Sequence, residues 1–242
     1  MGGVESKYSQ VKIMSGGSAR LSVGICAVFL GIGLFTILRG DSNDAYSGIL
    51  ICCIAFLQLF DYGIWRNLQC YPGGPNDKAT KGLYLFLWFM PSILCFSAAY
   101  LGTNLFADPA SRLLLMGVGG IYAILGLIFT SIVYEDKNTW CSVPGTLWQP
   151  NYGFFRNEKV PMAPNVLLAV GLLIPTLLVD PFMLGFGTVT IAIISFILGR
   201  QFDPFLRGEW LSVTTLLMNS ASIWALLVPA LRRDLIGVSD AF

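Results

Sequence analysis

Gln58, Asp61 and Trp65 stand three and four residues apart inside the apolar stretch from Tyr46 to Trp65, YSGILICCIAFLQLFDYGIW. On a helix that spacing puts all three side chains on one face. Asp61 is the only formal charge inside any of the seven long apolar runs of the chain. An ionisable group in such a run is costly unless it faces protein or water, so it is the strongest single pointer to a site. There it can be hydrated, protonated or hydrogen-bonded, which suits either a proton or cation pathway or a tie between helices. Ser212, Thr215, Asn219 and Ser222 recur at three, four and three residues in the last apolar run. Polar residues on one side of a membrane helix bond to a neighbouring helix or line a cavity. Asn219 turns the balance toward a cavity shared with Gln58 and Asp61.

The elements that must position these residues follow from composition. Hydrophobic residues make up 55% of the 242 and charged residues only 12%. The apolar residues gather in runs of roughly 18 or more, enough for ~30 Å of hydrocarbon. The fold expected is all-α, a polytopic membrane protein with a seven-transmembrane-helix bundle. Its spans run over about residues 21–38, 46–65, 83–103, 113–133, 162–179, 181–199 and 210–231. A polar tail, 1–20, precedes them and a short one, 232–242, follows. The stretch from Met162 to Gly199 would reach ~57 Å as one helix, so two must share it, with Asp180-Pro181 as the break. Pro91 lies inside the third span and predicts a kink. Small-residue stripes, Gly24/Ala27/Gly31 in the first span and Gly119/Ala123/Gly126 in the fourth, predict faces for close helix packing. The loop from Tyr134 to Pro161 is rich in aromatic residues, as expected of a segment that anchors at the membrane interface.

Several kinds of chemistry drop out. The chain has no histidine, which removes the commonest general base and the commonest zinc, copper or haem ligand. Its six lysines all lie outside the spans, so no retinal Schiff base can form within the bundle. Asp61 has no second intramembrane carboxylate to make a proteolytic pair, and no GxxxxGK[ST] phosphate loop occurs. Enzyme is the lowest-ranked class, and no cofactor or metal site is expected. The formal net charge of +1 excludes nucleic acid as a partner. Expected partners are the lipid bilayer and a second copy or a membrane-complex subunit, with the ligand left open.

The opening MGGVES fits the M-G-x-x-x-[ST] pattern for myristoylation of Gly2, with an unmodified tail as the alternative. Eleven of the fifteen Lys and Arg residues fall on the N-terminal side of the spans. Arg39, Arg112, Arg232 and Arg233 are the other four. The positive-inside rule thus favours a cytoplasmic N-terminus and a C-terminus on the opposite side. Cys70 and Cys141 pull the other way. They lie in loops on one face, and a disulfide between them would require an oxidising compartment.

The pattern resembles an uncharacterised family of seven-span proteins seen in algae and in the large viruses that infect them. The matching residues are Gln58 with Trp65, Cys70, Asn76, Trp88, Trp140-Cys141-Ser142, Leu147-Trp148, and Ser220, Trp224 and Pro229. Members often carry glutamate where this chain has Asp61, which keeps the carboxylate. The resemblance implies the fold and brings no established activity with it.

Two functions remain in view. The first is a small-solute, ion or proton transporter or channel whose interior joins Gln58 and Asp61 to Asn219. It predicts a water-reachable Asp61. The second is a receptor-like or scaffold subunit in which the same residues tie helices together. It predicts Asp61 paired with Arg66 or a backbone donor. Asp61 precedes Arg66 by five residues, about 7.5 Å of helix rise, which places it near an interface and weakens the first reading.

Overall fold

A computed structural model describes residues 3–102, 108–136, 140–144, 150–152, 162–177 and 190. These form α1 (Gly3–Ile37), α2 (Ser42–Arg66), α3 (Pro75–Leu101), α4 (Pro109–Glu135), the two-residue strands β1 (Val143–Pro144) and β2 (Pro150–Asn151), and α5 (Met162–Leu177). Among the described residues four helical stretches are long and apolar enough to cross a membrane: Ala19–Ile37, Ser42–Arg66, Pro75–Leu101 and Pro109–Val133. The protein is an integral membrane protein. The expected spans 181–199 and 210–231, and the turn at Asp180-Pro181, lie outside the described residues.

Each of the inner helices starts where local chemistry provides a cap. Asp41 precedes α2, and its carboxylate accepts from the Asn43 and Asp44 backbone N–H groups at 2.8 and 3.2 Å, satisfying two donors that have no intrahelical partner. Asp108 accepts in the same way from Ser111 N at the start of α4, with Pro109 in the first turn. α3 begins at Pro75, eight residues before the apolar run that predicts it, because Gly74-Pro75 already sets up a helical first turn. Asn76, Asp77 and Thr80, which the composition assigns to a loop, therefore belong to a helix face. α3 continues through Pro91 and ends on Gly102, whose φ of 63° suits a residue without a Cβ. α1 likewise extends back to Gly3, through the polar segment expected as a tail.

α2 packs between α1 and α3, and α3 also meets α4 and α5. Most of the apolar stretch of α3 is buried, whereas α1 and α4 keep large side chains such as Leu34, Phe35, Ile124 and Leu127 on the outside. In a bilayer such residues face hydrocarbon at no cost. The core between α3, α4 and α5 is aromatic. Trp88 stacks on Phe129 with ring centres 4.2 Å apart, and the Tyr122 hydroxyl donates to Leu167 O at 3.0 Å, tying α4 to α5.

Close helix approach occurs at a different glycine pair from the one expected. The buried side of α1 runs Ser22, Cys26, Phe29, Gly33 and Thr36, at alternating spacings of four and three. Gly24 and Gly31 point away from that seam, and a Cβ on either would touch nothing within 4 Å among the described residues. A Cβ on Gly48 would lie 2.6 Å from the Gly33 carbonyl, and one on Gly33 would lie 2.9 Å from the Gly48 carbonyl, so the two backbones meet there. The stripe on α4 does face a partner. A Cβ on Gly119 would meet Cys95, and one on Gly126 would meet the Phe89 ring. We expect Gly48→Leu to destabilise the protein by about 1–3 kcal/mol, and Gly24→Leu to leave it near wild type. Thermal unfolding in detergent measures both, and equal midpoints would refute the assigned seam.

Candidate functional site

Gln58, Asp61 and Trp65 are all buried on α2, with Asp61 only 1% exposed. The hydroxyl of Tyr152, itself buried, donates to Asp61 Oδ1 at 2.8 Å. Asp61 Oδ2 and Gln58 Oε1 have no hydrogen-bond partner among the described residues. These two atoms lie three residues apart on one helix face, and both are acceptors. What suits them is a donor or a positive charge. Arg66 does not supply it, because its guanidinium donates to the Tyr62 hydroxyl at 2.7 Å and lies 5.6 Å from the centre of that ring. Among the described residues neither Arg66 nor a backbone group is the partner of Asp61, and at 1% exposure the carboxylate is not water-reachable either, so it differs from what both the scaffold and the carrier readings expect.

Tyr152 reaches Asp61 because the segment before it is fastened to the first turns of α3. Asn76 donates through Nδ2 to Ser142 O at 3.0 Å and accepts from Ser142 N through Oδ1 at 3.0 Å, so its amide pairs with that residue's backbone as another strand would. Thr80 and Ser142 share a hydrogen bond between hydroxyls at 2.8 Å. Asp77 accepts from Trp140 N at 2.6 Å and from Gly73 N at 3.1 Å, and it pairs with Lys81 at 3.3 Å. Lys81 also donates to Asp136 O, and the Trp140 indole to Asp136 Oδ2. Cys70 and Cys141 are joined by a disulfide with their Cα atoms 5.6 Å apart. Beyond this clasp the chain forms the antiparallel pair β1–β2, with Val143 opposite Asn151, and delivers Tyr152 one residue after β2.

Sequence reasoning identified the carboxylate but missed its partner. Tyr152 stands among the aromatic residues of the long loop, which a sequence reading takes for interface anchors, and nothing in its neighbourhood marks a hydroxyl aimed at α2. The run Pro75-Asn76-Asp77 offered a usable signal, since proline followed by acidic and amide residues is a helix start. Ser212, Thr215, Asn219 and Ser222 lie outside the described residues, as does Gly2. Among the described residues no group of three or more His, Cys, Asp or Glu side chains is placed to hold a metal ion. No family model, curated protein or solved structure matches the chain.

The clasp and the Tyr152 bond should differ in their effect on stability. Asn76→Ala removes the Nδ2 donor and the Oδ1 acceptor that bond the buried Ser142 backbone, and losing the partner of a buried polar group costs about 1–3 kcal/mol. A clear fall in the detergent unfolding midpoint is expected. Tyr152→Phe keeps the ring and removes only the hydroxyl, so its fall should be smaller. A larger loss for Tyr152→Phe than for Asn76→Ala would contradict this ranking.

Proposed function

We propose that this integral membrane protein is a small carrier or channel-like protein for a proton, ion or small solute, and that Asp61 binds the proton or cation. The observation that carries the proposal is the buried pair of acceptors, Asp61 Oδ2 and Gln58 Oε1, without a protein donor among the described residues. An aspartate at a helix centre costs about 2.5–3.5 kcal/mol on insertion scales, less toward the interface. A purely structural carboxylate would be expected to spend both oxygens on protein donors, and among the described residues this one spends one. Gln58 adds a neutral oxygen that can share a bound proton or help to coordinate a monovalent cation. We further propose that the chain belongs to the seven-span family it resembles, and that Asn219 of the last span faces the same interior.

The second reading, a receptor-like or scaffold subunit, is favoured by the Tyr152–Asp61 bond, which ties the long loop to α2. One variant separates the two. Asp61→Asn keeps the size of the side chain and can still accept from Tyr152, but it cannot take up a proton or balance a cation's charge. For a carrier, the variant should fold and insert normally while proton- or cation-dependent flux in reconstituted vesicles falls at least tenfold. Unchanged flux together with lowered stability in detergent would favour the scaffold and refute the carrier.

A further inference from the structure

We propose that the clasped face of the protein, with Cys70, Cys141 and the N-terminal end of α3, lies in an oxidising, non-cytosolic compartment. Asp61 then receives its ligand from that side. This second step rests on the carrier reading above, whereas the first does not.

The bridge joins the α2–α3 connection to the segment after α4. With α1 to α4 crossing in turn, these two segments and the start of α1 share one side of the membrane. Disulfides persist in oxidising compartments and are kept reduced in the cytosol, so the bridge fixes a compartment as well as a fold. Closing it converts two thiols to one disulfide. The two electrons and two protons pass to a disulfide of the compartment's thiol-exchange catalysts, which leaves as a dithiol.

The bridge also has somewhere to form. The polar groups of Asn76, Asp77 and Thr80 hold residues 140 and 142 in place through hydrogen bonds, with Cys141 between them. The Cα separation of 5.6 Å lies in the middle of the range that disulfides adopt.

This placement opposes the excess of Lys and Arg on the same side. The charge rule is a statistical bias on insertion, and individual proteins depart from it. A cytosolic thiol pool acts on every bridge it can reach. Where the two conflict, the covalent requirement is the stricter one. Gly2 would then not be myristoylated, since that signal acts on a cytoplasmic N-terminus.

Asp61 sits near this same face. It lies about 7.5 Å of helix rise from Arg66 at the end of α2, and its donor Tyr152 comes from the clasped segment. The clasped segment thus supplies the one hydroxyl that bonds the carboxylate among the described residues, which ties Asp61 to the oxidising side.

The test uses the full chain with an N-terminal epitope, expressed in intact cells. The antibody should bind without permeabilisation where the protein is at the cell surface, and where it is in an internal membrane only after detergent opens that membrane, not after digitonin opens the plasma membrane alone. A membrane-impermeant maleimide-polyethylene glycol should add two labels after an impermeant reductant and none before it, and both labels should vanish in the Cys70→Ser/Cys141→Ser variant. An epitope that becomes reachable once digitonin opens the plasma membrane alone, and not before, would overturn the proposal, as would labelling of both thiols without reduction. If the double variant does not accumulate, the epitope result on the wild-type chain still decides the side. Flux that is unaffected by Asp61→Asn would remove the second step and leave the compartment standing.

Discussion

A stretch of polar backbone, Trp140 to Ser142, is buried against the start of a helix, and buried backbone polar groups must be paired. Most of the described architecture at that end of the molecule meets this requirement. Asn76 satisfies both polar backbone groups of Ser142, Asp77 accepts from Trp140 N, and Lys81 balances the charge on Asp77 while also donating to the loop. A side-chain amide is suited to the task because it has a donor and an acceptor side by side, matching a peptide's own pair. Aspartate in place of Asn76 would remove the Nδ2 donor to the Ser142 carbonyl. The disulfide adds a covalent tie to a segment that hydrogen bonds already hold.

That satisfied network contrasts with the one around Asp61 on α2. Around the clasp, acceptors and donors are matched. At Asp61 and Gln58 two acceptors lack a donor among the described residues. Low dielectric surroundings make an unmatched acceptor expensive and make its attraction for a proton or cation correspondingly strong. The contrast between the two networks is the ground on which the proposed function rests. The clasp is relevant to it because the same hairpin sets where the Tyr152 hydroxyl lies.

The helices divide according to their neighbours. α2 and α3 bury polar residues and aromatics among other helices, while α1 and α4 present leucine, isoleucine and phenylalanine outward. Membrane helices gain little from hiding apolar side chains from lipid, so their packing depends on shape. Gly33 against Gly48 brings two backbones close, and Gly126 admits the Phe89 ring into α4. The Gly24 and Gly31 pair has the same spacing and no neighbour among the described residues. Spacing defines a face, and the handed path of the helix relative to its partner decides which face is used.

Much was legible in the sequence for a simple physical reason. Hydrocarbon requires long apolar runs, so the four helical stretches able to cross a membrane appear close to where hydropathy placed them. The cost of charge in such a run marked Asp61 with no structure at all. Cys70 and Cys141 were identifiable as loop cysteines on one face, and Asn76, Trp140 and Ser142 were among the residues carrying the family resemblance, although nothing local said what joined them. Asn76 and Ser142 are 66 residues apart, and Asp61 and Tyr152 are 91 apart. Pairings at such separations leave no periodicity, because each partner satisfies its local pattern independently. Only the tertiary structure could decide that Tyr152, one aromatic residue among many in a long loop, places its hydroxyl on the buried carboxylate of α2.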